Sequence, residues 1–148
     1  MAHDTLAIVR EWHEAFDVPV EDAPTIPKHR AQMRLDILEE EVVELRAVVE
    51  VGDLVEVLDA LYDIQYVLDG TFLEFGLHQL KQDAMAEVHS SNMSKLAADG
   101  RPVLRDDGKV LKGPGFRQPD LPSFLQVEVA GSRVACKFCF IHLSSGSY

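Results

Sequence analysis

Residues 35–69, LDILEEEVVELRAVVEVGDLVEVLDALYDIQYVLD, decide the fold, because their apolar side chains recur at helical spacing while acids fall where a bundle ordinarily keeps hydrocarbon. Leu35, Leu38, Val42, Leu45 and Val49 form a 3,4,3,4 seam, and Glu40, Glu41 and Glu44 lie within about 100° of one another beside it. Beyond Gly52 and Asp53 the chain is apolar on nearly every face, at Leu54, Val55, Val57, Leu58, Leu61, Ile64, Val67 and Leu68, yet it carries Glu56, Asp59 and Asp63 along one line. A helix so apolar is expected to be buried.

Gly52 suits a helix C-terminus, and Asp53 with Glu56 forms a D-x-x-E arrangement resembling a capping box. Two long helices joined by so short a turn are expected to run antiparallel, which places Glu44 and Asp59 at a similar depth, roughly 12 Å from the turn. The acids are therefore expected to converge. Ionised carboxylates crowded in a bundle repel one another and have lost water, so they must protonate or share a cation. A hard divalent ion with oxygen ligands answers both needs; Mg²⁺ fits best, with Mn²⁺ expected to substitute. The competing reading is a solvated acidic face, since Glu is a good helix former on surfaces. Asp59 and Asp63 count against it, because Asp is a poor interior helix residue.

Outward from this core, Asp4 is a candidate N-cap for a first helix that carries Leu6, Val9, Trp12 or His13, and Phe16 on one face and ends near Asp17. The loop VPVEDAPTIP follows, and Thr25 and Pro27 open a second helix that runs from about residue 28 to Val51. The third helix is expected to continue through Gly70 and stop at Gly76, and a fourth to run from about His78 to Met93 with Leu80, Ala84, Val88 and Met93 along one side. The fold class is thus all-α: an antiparallel four-helix bundle whose surplus apolar surface points to a homodimer formed through the helices. Asp107-Gly108, between Val103-Leu104-Arg105 and Lys109-Val110-Leu111, predicts a short β-hairpin, and Pro114, Pro119 and Pro122 predict an irregular tail after it. The expected division is a helical catalytic core over 1–95, a hairpin and phosphate-side tail over 96–121, and a C-terminal extension over 122–148 with no assigned role.

A chain of 148 residues suits one domain, and 47% apolar with 26% charged residues is ordinary for a soluble protein. No apolar run approaches the ~20 residues of a membrane span, and MAHDTLAIVREWHEAF lacks a secretory apolar region, so a cytoplasmic location with no membrane partner is expected. The net charge of −11 disfavours a nucleic acid polymer. Charge is divided unevenly: residues 1–80 hold 5 basic and 18 acidic side chains, and residues 81–148 hold 9 and 7. One half suits metal and the other phosphate. Cys136 and Cys139, with His142, make only a partial zinc set, and two reduced thiols are the simpler reading.

The runs Glu-Glu-Val-Val-Glu-Leu (40–45), Asp-Ala-Leu-Tyr-Asp-Ile-Gln-Tyr-Val-Leu-Asp-Gly-Thr (59–71) and Glu-Val-His-Ser-Ser-Asn-Met-Ser-Lys (87–95), taken in this order, resemble the MazG-like all-α nucleoside triphosphate pyrophosphohydrolases. That superfamily includes dimeric dUTPases and phosphoribosyl-ATP pyrophosphohydrolases. The resemblance spans about residues 8–121. It implies a dimer of four-helix units, Mg²⁺ dependence, and cleavage of a nucleoside triphosphate between its α and β phosphates to a monophosphate and pyrophosphate. Glu41 and Glu44 match the family's E-x-x-E metal ligands, Glu40 the preceding acid, and Asp63 the aspartate of its E-x-x-D. Ala60 stands where that motif has glutamate, and Asp59, about 100° round the helix, is the nearest replacement.

The general base is expected to be Glu40 or Glu41. Lys95, Lys109 and Lys112 are candidates to compensate leaving pyrophosphate, Asn92 either to contact a sugar or pyrimidine edge or to cap the helix C-terminus, and Trp12 with Phe16 to stack on a base, although core packing is the preferred reading of the two aromatics. The expected substrate is dUTP or another non-standard deoxynucleotide, removed as house-cleaning. The alternative class is a non-catalytic helical dimerisation module with an acidic partner-binding face. A di-iron bundle would need paired E-x-x-H motifs, which the sequence lacks.

Overall fold

A computed structural model describes residues 4–125, and within them the chain is helical, with no strand. The Asp4 side chain caps α1 (Thr5–Ala15) by accepting the Leu6 N–H. After α1 the chain turns sharply through Asp17 and reaches α2 (Ala31–Val51) by a turn in which the Pro27 carbonyl accepts from Arg30 and Ala31. Gly52, in a left-handed conformation, ends α2, and Asp53 caps α3 (Leu54–Glu74) by accepting the Val55 and Glu56 N–H groups. A 3-10 turn at His78–Leu80 leads into α4 (Lys81–Met93). These boundaries follow the local signals closely, because caps and turns are satisfied by residues a few positions away.

The contacts are less local. α2 and α3 pack as an antiparallel hairpin, α1 lies against α3, and the principal partner of α4 is the turn at His78–Leu80. The expected bundle is therefore open in the single chain, with α4 to one side. The α2 stripe that faces inward is also not the expected one. Arg34, Ile37, Leu38, Glu41, Leu45 and Val48 are buried or half-buried, whereas Leu35, Val42 and Val49 are exposed. The helix is thus rotated by roughly 70° from the purely apolar seam. The burial of Arg34 accounts for this rotation. Its guanidinium donates to the Val67 carbonyl and the Thr71 hydroxyl and pairs with buried Glu74, which Arg30 also holds at 2.5 and 2.9 Å. Gly70 makes the room, since a Cβ there would lie 2.6 Å from Arg34 Nη2 and 2.9 Å from His13 Nε2.

The rotation gives the hairpin two unlike faces. On α2, Glu40 and Glu44 lie to one side of Glu41 and Leu35, Val42 and Val49 to the other; on α3, Glu56, Asp59 and Asp63 lie to one side of Ala60 and Leu54, Leu58, Leu61 and Leu68 to the other. Antiparallel pairing of right-handed helices brings like sides together, so one face is acidic and the opposite one apolar. The third helix, expected to be buried, instead exposes Leu54, Val55, Leu58 and Tyr62, each by more than half.

The predicted hairpin is reduced to an isolated antiparallel bridge between Leu104 and Val110 around Asp107 and Gly108. With no third strand beside it among the described residues, the pair of short runs lacks the neighbour that extends a ladder. A 3-10 turn at Pro122–Phe124 follows. Cys136, Cys139 and His142 lie outside the described residues. Among the described residues no helix is long and apolar enough to cross a membrane.

Candidate functional site

Glu41 and Asp63 are each eleven residues from Gly52, which places them level on facing helices about 16 Å from the turn. The Glu41 carboxyl is held above the ordinary carboxylate range, first by burial in the α2–α3 contact and then by the charges of Asp63, Glu44 and Glu40. Glu41 thus stands close to three other acids, one of them on the facing helix. None of the four, nor Asp59, has a Lys, Arg or His ion-pair partner among the described residues. Burial and unbalanced negative charge together leave Glu41 to take up a proton or share a cation.

Glu40, Glu44, Asp59 and Asp63 are exposed, so the acids sit on an open face and not inside a closed bundle; α4 does not cover them. Glu40 and Glu44 line a shallow groove with Asp36, Glu39, Val43 and Ala47, and Glu56 and Asp59 line a second with Val55, Leu58 and Tyr62. As the side chains stand, no three His, Cys, Asp or Glu among the described residues are drawn in tightly enough to enclose an ion. The donor set nonetheless fits a hard divalent cation: several uncompensated carboxylates on rigid facing helices, accessible to solvent and substrate. Ala60 is buried in the helix contact, 3% exposed, so a longer acid there would enter the packed seam. Asp59, the nearest replacement, points into solvent.

The aromatic candidates border this face. Trp12 stacks on Phe16 with centroids 4.8 Å apart and meets Tyr66 edge-on at 6.2 Å, and Tyr66 lies three residues beyond Asp63 on the acidic side of α3. Trp12 is 39% and Phe16 65% exposed, so core packing does not account for them; the buried residues of α1 are Val9 and His13. The cationic candidates make local contacts of their own. Lys95 Nζ donates to Asn92 Oδ1 at 2.7 Å, Lys112 Nζ lies 4.4 Å from the centre of the Phe116 ring, and Lys109 is exposed at the Leu104–Val110 bridge. No hydrogen bond or ion pair among the described residues joins Asn92, Lys95, Lys109 or Lys112 to the carboxylates.

One set of charged residues went unread in the sequence. Besides the Arg30–Arg34–Glu74 cluster, buried Asp69 accepts from Lys81 and from Gln65. Buried His13 is hydrogen-bonded through Nδ1 to the Pro19 carbonyl at 3.1 Å, and burial holds its pKa below the ordinary histidine value. A signal existed: Arg34 falls at helical spacing with Leu38, Glu41, Leu45 and Val48, a stripe that a search for hydrocarbon alone passes over.

A family model described as phosphoribosyl-ATP pyrophosphohydrolase matches residues 9–92, from within α1 almost to the end of α4, and so includes every carboxylate named above. No curated protein matches the chain.

Proposed function

The chain belongs to the phosphoribosyl-ATP pyrophosphohydrolase family, within the MazG-like all-α superfamily of nucleotide pyrophosphohydrolases, and on that premise we propose that it hydrolyses a nucleoside triphosphate between the α and β phosphates with Mg²⁺ as cofactor. The observation that carries the proposal is that Glu41 and Asp63 stand level on facing helices beside Glu40 and Glu44, with no basic partner among the described residues. Acids spaced round one spot on two facing helices are suited to a cation and a polyphosphate, and poorly suited to one another without them.

In this reading Glu41, Glu44 and Asp63 would hold Mg²⁺, or Mn²⁺ in its place, with Asp59 as the further candidate ligand. When bound, magnesium supplies positive charge against the triphosphate oxygens and makes the attacking water more acidic. Glu40 or Glu41 accepts the proton as that water attacks the α phosphorus in line. Asn92 and Lys95, at the end of α4, and Lys109 and Lys112, in the segment after it, receive the β and γ phosphates and the sugar, while Trp12, exposed at the rim of the acidic face, stacks on the base.

No hydrogen bond or ion pair among the described residues joins these cations to the acids, and among those residues the apolar side of the hairpin is left exposed. We therefore take the working form to be a homodimer formed through Leu54, Leu58, Leu61, Leu35 and Val42, in which acids and cations are brought together. The division into a catalytic core over 1–95 and a phosphate-side tail over 96–121 belongs to the same proposal.

The substrate is dUTP or another non-standard deoxynucleotide, and the reaction is house-cleaning. The family's own description favours a second reading, phosphoribosyl-ATP. A panel of nucleoside triphosphates that includes dUTP, alongside phosphoribosyl-ATP, assayed with Mg²⁺ for pyrophosphate and orthophosphate, tests both. Pyrophosphate release is expected. Orthophosphate as the only product would put the cut at the wrong bond, whereas no product from any nucleotide together with no rise in melting temperature on adding Mg²⁺ or Mn²⁺ would leave the acids to a non-catalytic dimerisation module. Unchanged turnover in Glu40→Gln, with turnover lost but Mn²⁺ binding kept in Glu41→Gln, would assign the base to Glu41.

A further inference from the structure

Residues 113–120 are fastened along α4 at two points. At one end the Gly113 N–H donates to the Lys95 carbonyl at 3.0 Å, an approach so close that a Cβ on Gly113 would lie 2.6 Å from that oxygen. At the other end Arg117 is bonded through side chain and backbone alike. Its guanidinium donates to Glu87 Oε1 and to Ser90 Oγ, both at 2.5 Å, its N–H donates to Ser94 Oγ at 3.0 Å, and its carbonyl accepts from the buried Ser91 hydroxyl at 2.8 Å. Glu87 also accepts the Asp120 N–H at 2.9 Å. One residue thus engages three consecutive turns of α4, and these bonds hold the Glu87 carboxylate well ionised, below its usual range.

No step assigned so far uses Arg117. What the strap does is place Lys112. Gly113 is seated on the Lys95 carbonyl, which makes Lys112 a spatial neighbour of Lys95, and Lys95 in turn is tethered to Asn92. The Lys112 ammonium rests on the ring of Phe116, next to Arg117, and the Phe116 backbone is fixed within the same strap by its N–H bond to the Gly113 carbonyl. A flexible lysine would otherwise lose most of its rotamer freedom only on meeting phosphate.

We propose that Arg117 is a positioning residue: by docking residues 113–120 on α4 it holds Lys112 beside Lys95 as a two-cation clamp for the leaving pyrophosphate. The inference rests on the pyrophosphohydrolase reading but concerns only the phosphate-binding arm. It predicts a selective effect, because loosening the strap removes charge from the β and γ phosphates and leaves the α phosphate and base untouched.

The test is calorimetric titration of inorganic pyrophosphate, and separately of dUMP, into the full chain with Mg²⁺. Arg117→Ala is expected to weaken pyrophosphate about fivefold, the scale of an exposed multidentate ion pair, with dUMP affinity unchanged. Gly113→Ala, which lifts the other end, is expected to give the same signature, and the exchange Glu87→Arg with Arg117→Glu to restore binding toward wild type. Equal pyrophosphate affinity in Arg117→Ala and wild type, an equal loss for both ligands, or no pyrophosphate binding by wild type would overturn it. Failure of the enzyme reading is seen separately, as wild type that binds pyrophosphate yet releases none from any nucleotide.

Discussion

Glu41 is under two pressures at once, since its place on the inward stripe of α2 removes water while Asp63, Glu44 and Glu40 surround it with negative charge. Both raise its folded pKa above the value near 4.5 that it has when unfolded. Below that value both states are protonated and the stabilisation is fully present; it is lost as pH rises through the folded pKa. In EDTA, Glu41→Gln is therefore expected to melt with wild type at low pH and above it at neutral pH, and saturating Mg²⁺ is expected to raise the wild-type melting temperature more than the variant's. A pH series of thermal melts with and without metal checks this. Gly70 makes a second residue-scale case. Alanine there would gain helix propensity of about 1 kcal/mol but would drive a methyl into a guanidinium tied to Val67, Thr71 and Glu74. Overpacking of this kind costs about 1–3 kcal/mol, so denaturant titration of Gly70→Ala is expected to show a net loss of up to roughly 2 kcal/mol.

At the scale of elements, the helices were legible because their ends are closed by near neighbours. Asp4 and Asp53 cap as their positions suggested, Gly52 ends α2, and α3 runs through Gly70 to Glu74. Asp53→Ala removes the acceptor of two N–H groups and is expected to cost about 1 kcal/mol in denaturant titration, a loss carried by α3 alone. What the elements present to each other was less legible. Leu35, Val42 and Val49 make a cleaner apolar seam than Arg34, Ile37, Leu38 and Glu41, yet the second stripe faces α3. Two stripes on one helix compete for the interior, and the outcome depends on whether a partner helix can satisfy the arginine. Gly70, Thr71 and Glu74 do so from more than thirty residues away. The hairpin at 103–111 failed for the complementary reason: its turn chemistry was right, but among the described residues no further strand pairs with it.

For the molecule as a whole, an acidic face and an apolar face on one helical hairpin are an unstable arrangement in water unless something covers the second. The chain is expected to sediment as a dimer, and Leu58→Glu, which places a charge at the middle of the exposed α3 stripe, to sediment as a monomer with its helical circular dichroism retained. A monomeric wild type would remove the dimer from the proposal. The sequence by itself determined where the helices begin and end, that acids recur on two of them, and that hydrocarbon is in surplus, because capping, periodicity and composition act over a few residues. Only the tertiary structure decided that Glu41 faces Asp63 while Leu35, Val42 and Val49 turn outward. That choice is made by burying one guanidinium over a glycine on another helix, an interaction between distant residues that no local pattern encodes.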